Sequence, residues 1–511
     1  MKSIFKRGVR LIIGLFLFLI SPMLLFTQDS LFITRSGSSL ILDSKPFYVI
    51  GVNSYFLQNL VAYGDTIYLN EIFQEAKQLG VTTIRTWGFF DNADSNNAAV
   101  IQYLPGRFNE HGLQALDRVI AKAKEYSIRL IIPLVNNWED YGGMNQYVRW
   151  YSQMFPTGTN TFQKAEQKII KGAEGRYYRF FISNSHTHDD FYINTTIKQW
   201  YRDYASMLLN RVNTITNIRY KDEPAILAWE LANEARSSDR TGTIISSWMD
   251  EMSAFIKSID PNHLISSGDE GLDVSTKFYS DVSNYNDQLW LFDGSGGSSF
   301  RKNISLSNID IGSIHCYPES WGLTADQAVR WLTDHNQLAN DIQKPMILGE
   351  VGKKYQQNLF FNVLFNEVFA GNTAGILIWQ FVYDGRLNND GYAFTYPADS
   401  AICDILQRYA ERFEQRQNGN YVSPPITTLC PNYPNPFNAV TLIPYDLSVS
   451  TFVRINIFNI TGQCIATLVS DEQSAGSHLT IFEAAGLSGG TYFIHLIAHG
   501  NIQSRKILLL K

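Results

Sequence analysis

The stretch AILAWELANEAR, Ala225 to Arg236, opens on five apolar residues and then turns polar, with Asn233 set beside Glu234. A continuous apolar run of this length reads as a strand buried on both faces, as in a parallel sheet covered by helices. Its polar end then stands at one rim of the sheet. Seven further runs share the pattern: PFYVIGVN (46–53), VTTIRTW (81–87), RLIIPLVNNW (129–138), HLISSGDEG (263–271), DIGSIHCYP (310–318), PMILGEVG (345–352) and AGILIWQFVYD (374–384). Stretches with helical spacing lie between them, such as LNEIFQEAKQLG (69–80) and GLQALDRVIAKAKEYS (112–127). The first closes on Gly80, a residue that ends helices without strain. Eight such units over residues 29–415 predict an α/β fold, a closed (β/α)8 TIM barrel. A doubly wound open sheet is the competitor, but no Gly-x-Gly-x-x-Gly turn opens the first unit.

Barrels of this kind carry their chemistry at the C-terminal ends of the strands. Arg85 and Trp87 end the second run, Asn136 and Trp138 the third, Asn233 and Glu234 the fourth, and Glu270 the fifth. His315 and Tyr317 end the sixth, Glu350 the seventh and Trp379 the eighth. Two carboxylates, Glu234 and Glu350, follow apolar strand residues and so sit on rigid elements. Retaining glycoside hydrolysis needs such a pair, about 5 to 5.5 Å apart, one protonated and one ionised. Arg85 would keep Glu350 anionic. Asn233 would bond a sugar 2-hydroxyl, and Trp379 would lie under the ring. His315 and Tyr317, two residues apart, share one face of their strand and can orient the carboxylates. Singly, each residue has a plain structural reading. Glu234 suits a helix N-terminus, Glu350 can pair with Lys353 or Lys354, His315 can be a core histidine and Trp379 barrel filling. Jointly, those readings require eight strand ends to turn polar at one rim by accident.

The 511 residues are 45% hydrophobic and 14% aromatic, enough for a large core and more than one domain. A net charge of -6 gives no footprint for nucleic acid. Lys2, Lys6, Arg7 and Arg10 precede an apolar run from Leu11 to Phe26, the pattern of an export signal over residues 1–28, with a retained anchor as the alternative. The four cysteines show no Cys-x-x-Cys spacing, so neither a metal site nor a disulfide framework is expected. The segment from Tyr141 to Ile193 is long and holds His186, His188, Asp189 and Asp190. Their spacing fits no zinc or calcium pattern, so the segment reads as a loop walling a cleft. No metal and no cofactor is expected. After a linker at 416–428, alternating β-branched residues and Gly-centred turns over 429–511 predict a small all-β sandwich.

Several motifs in order, IRTWGF, LVNNWEDYGGM, DDFY, WELANEAR, SSGDEG, HCYPESWG, ILGEVG and ILIWQF, give the barrel region a resemblance to glycoside hydrolase family five, most of all to its endo-β-1,4-mannanases. The resemblance implies Glu234 as acid/base and Glu350 as nucleophile. It implies Arg85, Asn233, His315, Tyr317 and Trp379 around the cleavage subsite, with Trp87, Asn136 and Trp138 as cleft residues. It also implies Arg236 on the leaving-group side. Two departures are Ala235, where the family usually has Pro, and Val351, where it often has Phe. The C-terminal motifs YPNPFN, DEQSAGSH, GLSGGTYF and SRKILLLK resemble the sorting domain of the type IX secretion system. That implies export through the outer membrane, to the medium or the cell surface. The expectation is a monomeric, exported retaining endo-β-1,4-mannanase acting on β-mannan without nucleic acid. A cellulase or exo-β-mannosidase on the same barrel, and a non-catalytic surface glycan-binding protein, remain as alternatives.

Overall fold

The computed structural model describes residues 32–155, 186–279, 285, 288–371, 373–383, 390–420 and 426–510, and the backbone alone of 166–171 and 177–182. The export signal expected over residues 1–28 lies outside the described residues, as do residues 421–425 of the expected linker.

All eight apolar runs are strands: β1 (Val49–Asn53), β2 (Thr83–Arg85), β3 (Arg129–Pro133), β4 (Ile226–Glu230), β5 (Leu264–Ser266), β6 (Gly312–Cys316), β7 (Met346–Val351) and β8 (Gly375–Ile378). They pair in parallel in the order β5-β4-β3-β2-β1-β8-β7-β6. A parallel bridge from Ser266 to Ile311, just before β6, closes the ring. The sheet is thus a barrel and not an open doubly wound sheet. Val49, Ile131, Ala228, Leu264, Ile311, Ile347 and Leu377 form one interior cluster. Leu40 and Phe47, from an N-terminal three-stranded sheet, and Ile33 just before it belong to the same cluster and cover that mouth. Ile84, Trp229, Ile314, Leu348 and Ile376 have the opposite parity and pack toward the helices. Above the interior cluster, nearer the C-terminal rim, come Arg85, Glu230 and His315, all fully buried.

The helices follow their apolar spacing. Glu110–Tyr126 buries Leu113, Leu116, Ile120 and Ala123, is capped by Asn109 accepting from the His111 N–H, and ends on Ser127 in the left-handed region. Ala325–Asp341 opens on a capping box between Thr324 and Gln327. Thr66–Gln78 is followed by Gly80 at φ 74, where a Cβ would lie 2.5 Å from the Ala410 Cβ. That position needs glycine both for conformation and for space. The segment expected to be one long loop after β3 contains more structure than that. It holds a helix, Gly143–Met154, whose Met144, Tyr147, Val148 and Trp150 share a buried face. An antiparallel hairpin of Glu166–Lys171 and Tyr177–Ile182 follows. No helix among the described residues is long and apolar enough to cross a membrane.

Beyond the last barrel helix, Ser400–Gln417, a two-sheet module follows. A three-stranded sheet (Thr428–Leu429, Val440–Leu447, Gly476–Glu483) faces a five-stranded sheet built from Phe437–Asn438, Thr451–Asn459, Cys464–Gln473, Gly490–Ala498 and Asn501–Leu510. Ile443, Tyr445, Leu447 and Phe482 join the module's own core with Val453, Ile455, Ile494 and Ile507. Val440, Leu442, Leu479 and Ile481, of opposite parity, join the barrel's core. The strand Gly476–Glu483, which carries Leu479 and Ile481, meets the helix Gln357–Ala370, which is apolar nearly all round and buries Phe360, Phe361, Leu364, Phe365 and Phe369.

This junction is testable. Ile481→Ala should destabilise the whole chain by about 2 to 5 kcal/mol, the range for a buried Ile cut to Ala. Thermal unfolding should show the barrel's own transition falling with the module's. A barrel transition that stays put would mean that the module adds nothing to barrel stability.

Candidate active site

The two carboxylates predicted from strand ends face each other at the C-terminal rim. Glu350, on β7, is held at both oxygens. Arg85 Nη1 donates to Oε1 at 2.6 Å, and the Tyr317 hydroxyl donates to Oε2 at 2.5 Å. Glu234, past the end of β4, is also held at both. His315 Nδ1 lies 2.6 Å from its Oε1, and the Trp138 indole N–H donates to its Oε2. The same His315 Nδ1 lies 3.5 Å from Glu350 Oε2. The imidazole therefore bridges the pair, and one oxygen of each carboxylate and the ring nitrogen lie within 4.8 Å of one another. Among the described residues these three side chains are also the group with the geometry to grip a metal ion.

Irregularities in the strands aim these side chains. The pairing register shifts between Ile314 and His315 on β6, and between Leu348 and Val351 on β7. Bulges at such places re-aim side chains. Glu234 has φ 54, in the left-handed region. Its N–H donates to the Gly268 carbonyl at 2.9 Å, and the preceding Asn233 carbonyl accepts from the Asn137 N–H at 3.0 Å. This tight turn swings the Glu234 side chain back over the barrel.

The electrostatics follow from burial. Loss of water pushes the Glu350 carboxyl above the usual carboxylate range, while facing His315 and Arg85 and the Tyr317 hydroxyl oppose that rise. Burial pushes the His315 imidazole below its ordinary value, against the pull of the nearby carboxylates of Glu350, Glu230 and Glu270. Arg85 is fully buried; burial lowers its pKa, and Glu230 and Glu350 more than reverse this, so it stays charged. Its remaining donors go to Glu230, to Asn233 Oδ1 at 2.7 Å and to Asn53 Oδ1 at 3.1 Å. Asn233 in turn donates to Asn136 Oδ1 at 2.9 Å.

Of the residues expected from sequence, Trp87, Asn136, Trp138, Asn233, Tyr317 and Trp379 line a cleft open to solvent, together with Glu234 and Glu350. Arg85 and His315 lie behind that lining. Arg236 sits to one side, in a bidentate pair with Glu270 at 2.5 and 2.6 Å and 5.2 Å from the Trp138 ring. Lys353 pairs with Glu319, and Lys354 lies over the Tyr392 ring, so neither takes Glu350. Val351 packs in the outer cluster toward the helices, away from the cleft. His186, His188, Asp189 and Asp190 have separate engagements. His188 stands between Asn145 and Asn137, Asp189 accepts from the Ser238 N–H, and His186 lies 3.4 Å from Asp190.

Other residues complete the site. Tyr55 stacks on Trp379, with centroids 5.2 Å apart and planes 4° apart. Asp390 accepts from the Trp379 indole N–H at 2.8 Å. Tyr141 and Tyr392 line the cleft as well, and Glu230 lies beneath it. Tyr55 follows β1 by two residues and could have been found by extending the strand-end rule to the first strand. Glu230 could have been found as an acid inside an apolar strand.

Known proteins share this arrangement of chain. Residues 432–510 match the model of a secretion system C-terminal sorting domain. Mannan endo-1,4-beta-mannosidase 3 of Arabidopsis thaliana is 36% identical over 400 residues, covering 73% of this chain and 88% of that protein. Mannan endo-1,4-beta-mannosidase 2 of Oryza sativa subsp. japonica is 34% identical over 385 residues, covering 71% and 79%. Among solved structures, the endo-beta-1,4-mannanase from Thermotoga petrophila superposes with a TM-score of 0.65 at 27% identity, covering 91% of this chain and 97% of its own. The endo-1,4-beta-mannanase from Rhizomucor miehei superposes with a TM-score of 0.62 at 31% identity, covering 75% and 99%. Residues 30–367, which carry both carboxylates and every strand of the ring but the last, match the GH family 5 beta-mannosidase-like model, and the chain belongs to that family.

Proposed function

We propose that this protein is an exported, monomeric, retaining endo-β-1,4-mannanase. The observation that carries the retaining mechanism is the Glu234–Glu350 spacing, with an oxygen of each within 4.8 Å of the other. Retaining enzymes hold their carboxyl groups about 5 to 5.5 Å apart, and inverting ones about 6.5 to 9.5 Å to admit a water. Likeness to endo-acting mannanases supports β-mannan as substrate. The sorting module supports export through a type IX system, to the medium or the cell surface. Every group at the site comes from one barrel, which suits a monomer.

The reaction runs in two displacements. Glu350, aligned by Arg85 and Tyr317, attacks the anomeric carbon. Glu234 gives its proton to the glycosidic oxygen, and the shortened chain leaves as an alcohol. A water then enters where the leaving group stood. Glu234, now a carboxylate, takes its proton as the oxygen attacks the same carbon, and the ester to Glu350 breaks. The Trp379 face, backed by Tyr55 and pinned by Asp390, gives the sugar ring a flat support.

Reducing-end release and product sizes from soluble mannan, with carboxymethyl cellulose in parallel, test the reading. Short mixed oligomers from mannan are expected; mannose alone would make the enzyme exo-acting, and activity on cellulose alone would remove the mannan assignment. Glu234→Ala and Glu350→Ala should each lose about 10³-fold or more in kcat on mannan. Added azide separates the roles. Glu234→Ala should yield a β-glycosyl azide, and Glu350→Ala the α-anomer from an activated glycosyl donor. The opposite pairing would exchange the two assignments.

The pH profile gives a further check. Ionised Glu350 is required, and burial raises its pKa, so the acid limb of kcat/KM should lie above the ordinary glutamate value of about 4.3. Tyr317→Phe removes a hydrogen bond that favours the anion. The limb should then move up by about one unit. A limb that stays in place would mean that Tyr317 does not stabilise the charged nucleophile.

A further inference from the structure

Glu230 is a carboxylate that the two-displacement scheme does not use, yet it is the most completely enclosed acid of the site. It points inward from β4, four residues before Glu234, with its side chain 0% exposed. It takes the inner edge of Arg85. Nη2 donates to Oε1 at 2.5 Å, and Nε lies 3.2 Å from Oε1 and 3.4 Å from Oε2. Ser266 on β5 donates to Oε2 at 3.3 Å. Space has been left for it, because a Cβ on Gly268 would fall 2.7 Å from the Glu230 Cγ and 1.9 Å from the Ala232 carbonyl oxygen. The opposite edge of the same guanidinium holds Glu350 at 2.6 Å.

A plain anchor for Arg85 would not need to be charged. Asn53 and Asn233 already accept from it without charge. A carboxylate here changes the balance of the whole site. Arg85 supplies one positive charge against the two negative ones on Glu230 and Glu350, while Arg236 is matched one to one by Glu270. The Arg85 cluster is left one charge negative. An oxocarbenium-like transition state brings the missing positive charge to that place. If Glu230 were neutral, the site would balance before the sugar became cationic, and Arg85 would bear wholly on Glu350.

Resting on the retaining mechanism above, we propose that Glu230 is a positioning residue for the reaction: it fixes Arg85 beneath Glu350 and absorbs part of its charge, so that the nucleophile stays basic and the site favours a cationic sugar.

The test compares wild type with Glu230→Gln and Glu230→Asp, using kcat and KM on mannan across pH, with thermal unfolding alongside. Glu230→Gln removes a negative charge, so the Glu350 anion is favoured and the acid limb should move down by about one pH unit. Its kcat should fall about tenfold or more with KM nearly unchanged, since the loss belongs to the transition state. Glu230→Asp keeps the charge but draws the guanidinium back from Glu350, so its acid limb should not move down, while kcat falls. An acid limb unmoved in Glu230→Gln, with only a lower unfolding temperature, would overturn the proposal and leave Glu230 as packing. If Glu230→Gln does not fold, Glu230→Asp with wild-type kcat would overturn it equally. Wild-type protein inactive on mannan and cellulose would instead count against the hydrolase reading.

Discussion

The site depends on one guanidinium inside the barrel. Arg85 has five N–H donors, and each has an acceptor: Nε on Glu230, Nη1 on Asn53 and Glu350, Nη2 on Glu230 and Asn233. Those acceptors come from β1, β4, the turn after β4, and β7. A charge at 0% exposure is costly to desolvate, and it is sustained here because no donor is left over and two carboxylates share it. Removing one member of such a buried pair typically costs about 3 to 5 kcal/mol, because the remaining charge has nowhere to go. The orientation of Asn233, and through it Asn136, follows from the same contact.

The acid side of the site is arranged differently. Glu234 meets, at its oxygens, an imidazole and an indole, those of His315 and Trp138. Its left-handed backbone costs on the order of 1 to 2 kcal/mol for a residue with a Cβ. Backbone bonds to Gly268 and from Asn137 to Asn233 hold the turn. The two carboxylates thus sit close together in different surroundings, one clamped by a guanidinium and a phenol and the other touched by an imidazole and an indole. That difference is what a paired acid and nucleophile require.

Much of this was legible in the chain. Apolar runs ending in polar residues located every barrel strand, because a strand buried on both faces cannot alternate. The same rule located Arg85, Glu234, His315 and Glu350, since the fold gathers strand ends at one rim. Glu230 escaped it. An acid inside AILAWEL signals a buried partner, but only closure of the ring shows that the partner is Arg85, some 145 residues earlier. Tyr141, Asp390 and Tyr392 escaped for another reason. They lie in connections without periodicity, and their aim into the cleft is set by tertiary contacts such as the Tyr392 ring against Tyr317 and the Trp379 indole N–H on Asp390. The segment after β3 reads as a loop because its many polar residues mask the helical spacing of Met144, Tyr147 and Trp150.

The junction with the C-terminal module bears on how the two parts relate. A sandwich sheet usually has one face in the core and one in water, so its strands alternate apolar and polar. In the strand Gly476–Glu483 both parities are buried: Phe482 toward the module's own core, Leu479 and Ile481 toward the barrel. The barrel helix opposite shows the same excess, because Gln357–Ala370 carries bulky apolar residues on the side that a barrel helix normally gives to water. Each surface alone would be an apolar patch of the kind that soluble proteins avoid. Together they cover one another, and the Ser474 hydroxyl donates across the boundary to the Ala370 carbonyl at 3.1 Å. The module is therefore part of the barrel's packing as well as a sorting domain. A barrel that folds first presents the apolar helix on which the module's sheet can settle.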